Sequence, residues 1–338
     1  MSVYREQIAQ LLRAVTIVSP TAHAWFGVPS SQLPSATAAA MPAEAARPYL
    51  VYALQAQLYA DFYCAGGARP SFAEHRAPPP PRQTPFIQQL SRANSGTGSL
   101  DPDWTVVRVD NGRLVVARGG GLRFWATPAE LRTSDGTVAA AGSTVSVVMP
   151  KELLRLSPGF YMGLGNAPLA FDGSMPLVRL YWNLLPSAAP ALIERLTSDL
   201  NRKRIPFRVK VVSDVDAYGR CDAGVLYVPR ATFAAVAPLA AAAYNQTATG
   251  LEQPVPALTK RLAPGLALAE DPPGGLASFG MSRCALLAEG IVRAAERDIS
   301  DEDQRLAVIA EAFAEAGVDI EVPYLEQGST DVYTVAGL

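Results

Sequence analysis

The sequence predicts an α+β fold: a mixed or antiparallel sheet that lines a cleft, helices that flank it, and a helical N-terminal region. Two observations carry this prediction. Apolar residues recur at helical intervals over parts of the first hundred positions, and strand-like alternation begins at Trp104. With 338 residues, 49 % of them hydrophobic, the chain can bury a core large enough for two domains or for one large domain with an appendage.

Residues 1–98 are predicted to form the helical N-terminal region. Residues 3–18 and 47–63 both repeat apolar side chains at the spacing of a helix face, and the segment PFIQQLSRANS predicts a third helix. Residues 65–84 are instead rich in Gly, Ala and Pro, and they include a run of prolines, which have no backbone N–H to donate. This stretch is predicted to be a loop.

Residues 99–338 are predicted to form an α+β domain that begins with a β-hairpin region, 99–150. The segments TVVRV and RLVVA flank Asn111 and Gly112, a pair that tolerates the positive φ of a tight hairpin turn, and LRFWAT with TVSVVM predicts a second strand pair. Beyond this region strands and helices interleave. Strands are expected at 177–184, 207–212 and 224–228, and helices at 191–203, 231–244, 283–296 and 301–316.

Composition excludes several classes of protein. A net charge of −2 and a pI near 5.8, without a basic stripe, argue against nucleic-acid binding. The N-terminus lacks the pattern of a signal peptide and no apolar run is long enough to cross a bilayer, so we expect a cytoplasmic protein with no membrane partner. Three cysteines without a spaced pair and only two histidines predict neither a disulfide framework nor a metal site.

Lys210 is the first candidate for a functional side chain. The chain has four lysines against 25 arginines, and this one lies among valines in the strand-like segment PFRVKVV. Alternate residues of a strand share a face, so Arg208 accompanies Lys210, and Arg179 accompanies Tyr181 in VRLYWNL. Such faces either line a cleft or meet solvent, and a lysine there is either catalytic or structural.

Two further arginines and a tyrosine are candidates by position. Arg220 follows Tyr218 and Gly219, and Arg283 opens a predicted helix, where a cation has the wrong sign for the helix dipole unless an anion is bound there. The alternative is a structural salt bridge, for example to Glu270 or Asp271. Tyr227, like Tyr181, is either a site residue or a core tyrosine.

An ordered set of segments resembles the HopA-type effector family, and especially its bacterial members in class V lanthipeptide and thioamitide pathways. The resemblance covers residues 157–296 and rests on SPGFYMGLG, VRLYWNL, PFRVKVVSDVDAYGRCDAGVLY, PGLALAEDP and FGMSRCALLAEG. The family is distantly similar to the OspF-type phosphothreonine lyases, which eliminate phosphate from phosphothreonine without a cofactor. The resemblance therefore implies a lyase that needs no cofactor.

Carried over by position, the resemblance gives each candidate a role. The Lys-x-His strand motif of the lyases falls on residues 179–181, so a tyrosine stands where the relatives have their histidine acid. The implied base is Lys210, and nearby cations favour the neutral amine that a base needs. The acid position falls on Tyr181, and the phosphate arginines fall on Arg220 and Arg283. In the mechanism that we derive from this resemblance, Arg179 and Arg208 also bind the phosphate, and Tyr227 is the alternative acid.

The implied substrate is a ribosomal precursor peptide that carries phosphoserine or phosphothreonine, and the product is dehydroalanine or dehydrobutyrine. Because the chain has no nucleotide-binding motif, a separate Ser/Thr peptide kinase is the expected partner. Two alternatives remain: a non-catalytic phosphopeptide-binding partner of that kinase, and an injected bacterial effector. The N-terminus lacks a Ser-rich secretion-like segment, which disfavours the effector.

Overall fold

The structure, a computed structural model, describes residues 2–30, 33–68, 84–118, 122–169, 175–274 and 277–338. It has an α+β fold built from antiparallel sheets and helices, as predicted. Most of the loop predicted at 65–84, including its proline run, lies outside the described ranges.

The N-terminal region is helical with one small sheet. Its helices are α1 (Val3–Ala14), α2 (Ser35–Ala39), α3 (Ala43–Leu58) and α4 (Pro85–Ala93), and its strands are β1 (Val15–Ser19), β2 (Ala22–Trp25) and β3 (Val28–Ser30). The first helix is shorter than predicted, because the β-branched run that follows Ala14 pairs with β2 instead of continuing the helix. A π-helical turn, Tyr59–Tyr63, extends α3.

A five-stranded antiparallel sheet forms the region predicted to contain hairpins. Its strands are β4 (Ser99–Asp110), β5 (Arg113–Arg118), β6 (Leu122–Ala126), β7 (Leu131–Arg132) and β8 (Thr144–Met149), in the order β6-β5-β4-β8-β7. Asn111 and Gly112 join β4 to β5 with φ of 46° and 75°, as the turn prediction requires.

A seven-stranded antiparallel sheet carries the candidate residues. Its strands are β9 (Glu152–Leu153), β10 (Phe160–Leu164), β11 (Leu177–Trp182), β12 (Arg208–Val212), β13 (Gly224–Pro229), β14 (Lys260–Ala263) and β15 (Leu266–Glu270). Their order is β14-β15-β11-β13-β12-β10-β9. The three strands predicted in this part of the chain are its central members, whereas β9, β10, β14 and β15 were not predicted.

Helices cover both faces of this sheet. They are α5 (Ala189–Arg202), α6 (Phe233–Thr247), α7 (Phe279–Glu296) and α8 (Glu302–Glu315), each within a few residues of its predicted range. On one face, a side chain at Gly224 would meet Leu192 of α5. On the other, the ring of Tyr181 packs against Tyr63, which follows α3, at 6.4 Å between centroids.

The apolar core does not follow the predicted boundary at residue 98. Side chains of α1, α3 and α4 belong to the same buried cluster as the seven-stranded sheet, whereas the five-stranded sheet has a separate cluster around Trp104. In the described residues, the N-terminal helices therefore pack as part of the body that carries the site.

Candidate functional site

A cavity of about 690 Å³ lies over one face of the seven-stranded sheet. Four sequence-predicted residues line it, namely Arg179, Arg208, Lys210 and Tyr227. The walls also contain apolar side chains, and the residues that contribute them include Leu156, Met162, Met175, Pro272 and Pro273. The prediction that the polar strand faces line a cleft therefore agrees with the structure, and the solvated-face alternative does not.

Strand register brings these side chains together. Tyr227 of β13 lies directly opposite Arg208 of β12 on one side and Arg179 of β11 on the other. Directly opposite residues of antiparallel strands project from the same face, so the three side chains form one row. Lys210 and Tyr181 lie two residues farther along their strands, both opposite Val225, and so share that face.

Tyr227 is the centre of the cationic group. Its ring centroid lies 4.9 Å from Arg179 Cζ, 5.6 Å from Arg208 Cζ and 5.9 Å from Lys210 Nζ. Burial alone would raise the pKa of the Tyr227 phenol, but the positive charges of Lys210 and Arg179, with a hydrogen bond from Lys210, hold that pKa below its ordinary value. The phenol is therefore a stronger acid than an isolated tyrosine.

Arg179 is buried, with an exposed fraction of 8 %, and pairs with the Asp271 carboxylate just beyond β15. Burial works against its charged form, but the negative charges of its neighbours, including Asp271, more than compensate and raise the pKa of Arg179. Within the described ranges its buried Nε has no hydrogen-bond partner. A buried cationic donor at a cavity wall can bind an anion there.

Lys210 is half-buried, and its ammonium lies over an aromatic ring. Its Nζ is 4.2 Å from the centroid of Phe160 on β10, and the same ring has Arg220 Cζ at 5.3 Å. Lys210 thus lines the cavity and shares an aromatic ring with each of two arginines, the Tyr227 ring with Arg179 and the Phe160 ring with Arg220.

Three predicted site residues do not line the cavity. Tyr181 is 1 % exposed and packs under the turn that follows α3, and burial raises the pKa of its phenol. Arg220 forms a forked pair with Asp222, at 2.5 and 2.9 Å. Arg283, 1 % exposed, donates to the carbonyl oxygens of residues 323 and 325 and to the Glu326 carboxylate. Both arginines form salt bridges, though not with the partners that the sequence suggested.

The sequence did not single out Arg230 as a cavity residue. It follows β13, lies 3.2 Å from a Glu270 carboxylate oxygen, and donates to Ser329 at 2.7 Å. The signal that could have identified it is its place three residues after Tyr227, directly past the end of a buried strand.

The C-terminal segment, residues 318–333, forms another wall. Glu326, Gln327 and Ser329 of this segment line the cavity. Two buried groups fix it there: Arg283, and Glu270, whose carboxylate accepts from the Tyr333 hydroxyl and from the Glu326 backbone N–H at 2.8 Å. Several acidic residues of the cavity wall are therefore already paired, which leaves a site whose available charge is positive.

The fold and the site define this protein as an α+β protein with a cationic cleft on an antiparallel sheet. A family model described as the HopA1 effector protein family matches residues 150–325, just over half of the chain. The chain belongs to this family.

Solved structures of two effector proteins are similar to this chain. The effector protein from Pseudomonas syringae pv. tomato strain DC3000 is 18 % identical, with a TM-score of 0.45 over 82 % of this chain and 96 % of its own. The effector protein from Pseudomonas syringae pv. syringae strain 61 is 15 % identical, with a TM-score of 0.43 over 74 % and 86 %. A search of curated proteins found no match.

Two features are absent from the described ranges. None of the helices there has both the length and the apolar character that crossing a membrane requires. In the same ranges, no three His, Cys, Asp or Glu side chains are grouped as metal ligands.

Proposed function

We propose that the protein is a lyase that eliminates phosphate from phosphoserine or phosphothreonine in a ribosomal precursor peptide, without a cofactor. The observation that carries this proposal is the position of one lysine beside arginines in a single cavity, around the ring of Tyr227. β-Elimination needs a base for the Cα proton and cations for the departing phosphate, and this cavity contains both types of group.

Lys210 acts as the base in this proposal. Its neutral amine removes the Cα proton, the electron pair of that C–H bond becomes the Cα=Cβ double bond, and the Cβ–O bond breaks so that its electrons leave with phosphate. The product is dehydroalanine or dehydrobutyrine.

The phosphate ligands in this proposal are the cations at the cavity wall, Arg179, Arg208 and Arg230. Guanidinium groups bind phosphate through forked, charge-assisted hydrogen bonds. The unpaired buried Nε of Arg179 supports this assignment, since a phosphate oxygen would give it an acceptor. Arg220 and Arg283 are left out of the set, because neither lines the cavity, and protein groups already accept from both.

Tyr227 is the proposed acid, in preference to Tyr181. It lines the cavity, contacts the cations, and has a lowered phenol pKa, whereas Tyr181 lies outside the cavity with a raised one. We expect Tyr227→Phe to lower kcat by roughly 10²-fold, the lower range for loss of a general acid. Tyr181→Phe, the matched control on the same sheet face, should leave kcat within a factor of about three, since its hydroxyl meets no substrate.

These two variants separate the assignments when kcat and KM are measured with one phosphopeptide. Normal turnover by Tyr227→Phe would remove the acid role from Tyr227. A large loss in Tyr181→Phe alone would instead return that role to the position carried over from the lyases.

A separate peptide kinase in the cytoplasm supplies the phosphopeptide in this proposal. The apolar part of the cavity wall, with Leu156, Met162 and Pro272, suits the residues that flank the phosphorylated one. The kinase is expected to bind the same precursor, and the N-terminal helices offer it a docking surface.

The test mixes purified protein with a phosphorylated precursor peptide and follows peptide mass and free phosphate. A lyase releases one phosphate for each dehydrated residue that it forms. The dehydrated residue is detected as a mass loss from the peptide, and an added thiol traps it. Binding without mass loss contradicts the lyase and supports a phosphopeptide-binding partner of the kinase. Release of phosphate without a dehydrated residue indicates hydrolysis, which also contradicts it.

A further inference from the structure

The base candidate shares an aromatic neighbour, Phe160, with the arginine of an ion pair whose carboxylate is buried. Phe160, 9 % exposed, has Lys210 Nζ 4.2 Å and Arg220 Cζ 5.3 Å from its ring centroid. Cation–π contacts of this kind hold a cation in place against a ring face. Whatever lies around Arg220 is therefore part of the electrostatic surroundings of Lys210.

A buried carboxylate lies beside Arg220. Asp222 is 3 % exposed, and its two oxygens accept from Arg220 Nε and Nη2 at 2.5 and 2.9 Å. Burial would raise the pKa of Asp222, but Arg220 first and Lys210 second lower it below the ordinary value. Asp222 is thus an anion that interacts with both cations.

Two donor nitrogens of Arg220, Nε and Nη2, have partners that do not line the cavity. Beyond Asp222, its Nη2 lies 3.1 Å from the Tyr59 hydroxyl and 3.2 Å from the Cys64 sulfur. These partners come from the turn that follows α3. Arg220, whose side chain is 28 % exposed, is therefore held by protein groups and is not among the residues that line the cavity.

We propose that Arg220 is a positioning residue for the base: by neutralising Asp222, it prevents that carboxylate from pairing with Lys210 and so keeps the amine able to lose its proton. This inference rests on the proposed lyase function. Without Arg220, Lys210 would be the remaining cation whose charge acts on the buried Asp222 carboxylate, and an ammonium paired with a carboxylate is a poor base.

The other cations around Lys210 act in the same direction. Arg208 comes from its own strand and Arg179 from β11, whereas Tyr227 of β13, the proposed acid, is a neutral phenol, and β10 contributes uncharged Phe160 and Met162. The remaining acids of the cavity are paired with other cations: Glu270 with Arg230, Asp271 with Arg179, and Glu326 with Arg283. Asp222 is therefore the carboxylate whose neutralisation matters for Lys210.

The experiment measures Lys210 directly. Reductive ¹³C-methylation of the four lysines gives a small set of NMR signals, and Lys210→Arg identifies the one from Lys210. Its titration is followed in the wild type, Arg220→Met, Asp222→Asn and the double variant. We expect Arg220→Met to move the titration up by roughly one pH unit or more, as an added unpaired anion does. Asp222→Asn should move it down, and the double variant should lie between them.

The test is specific because the two single variants should shift the Lys210 titration in opposite directions. Structural damage would shift it in the same direction in both. Lys151, Lys203 and Lys260 are internal controls whose titrations should not change. A second comparison serves if Arg220→Met does not fold. Asp222→Asn and the double variant leave no buried unpaired carboxylate, and they still show in which direction the Lys210 titration moves when the Asp222 charge is removed. A Lys210 titration that stays the same in the folded variants would overturn the proposal.

Turnover separates this proposal from the one on which it rests. With an active wild type, Arg220→Met should shift the acid limb of the kcat–pH profile to higher pH while KM for the phosphopeptide changes little. A raised KM without that shift would make Arg220 a phosphate ligand instead and contradict the positioning role. A wild type that does not eliminate phosphate, but whose Lys210 titrates as expected, would refute the lyase and leave the charge coupling intact.

Discussion

Lys210→Met is expected to abolish elimination, with kcat lower by roughly 10³-fold, within the range for loss of a general base. Methionine keeps most of the length and the apolar stem of lysine, so the contact with Phe160 is preserved in part and the cavity wall remains filled. What disappears is the amine. No other lysine is among the residues that line the cavity, so no second amine there can take its place.

Binding should change much less than turnover in this variant. Three arginines remain at the cavity wall, so the Kd for the phosphopeptide, measured by fluorescence anisotropy, should rise by less than about tenfold. Lys203→Met is the matched control, because Lys203 is exposed at the end of α5 and has no proposed role in binding or catalysis. Normal turnover by Lys210→Met would make Lys210 merely another phosphate-binding cation, and the base would have to be sought elsewhere.

Strand patterns predicted the central part of the site well. Alternation in VRLYWNL and PFRVKVV placed Arg179 with Tyr181 and Arg208 with Lys210 on common faces, and the register of β11, β12 and β13 has them so. The reason is that the side-chain period of a strand is fixed at two, which leaves one arrangement for each segment. Which strands are neighbours depends on tertiary packing, and their order could not be obtained in this way.

Strands buried on both faces were missed. β15 has the sequence LALAE and is buried along its whole length, so it shows no polar alternation, and its alanines and leucines favour a helix by intrinsic propensity. β10, with the sequence FYMGL, is equally buried. In both strands, tertiary pairing overrides the local preference.

The partners of the arginines were the least predictable part. Arg220 pairs with Asp222, two residues away, whereas Arg283 pairs with Glu326, 43 residues away in an irregular segment that no periodicity identifies. An arginine in the sequence carries the same signal whether it binds a ligand or fixes a loop. Burial and hydrogen-bond partners separate the two roles, and both are properties of the folded chain.

Arg283→Met is expected to destabilise the protein by about 3 kcal/mol or more, because it removes one partner of a buried ion pair and leaves backbone carbonyls without donors. Arg283 is 1 % exposed and donates to Pro323 O at 2.7 Å, Leu325 O at 3.0 Å and Glu326 Oε1 at 2.7 Å. Urea denaturation measures the loss of stability. Limited proteolysis should locate it, with the C-terminal segment cut first.

The matched control for this variant is Arg297→Met, which removes an exposed ion pair with Glu311 just beyond the end of the same helix and should cost less than about 1 kcal/mol. The comparison decides between the two roles given to Arg283. A phosphate ligand would lose phosphopeptide affinity while the free energy of unfolding stays nearly unchanged. If Arg283 instead anchors the C-terminal segment, its loss lowers the free energy of unfolding. The phosphopeptide affinity then falls only because Glu326, Gln327 and Ser329 are no longer fixed in the cavity wall.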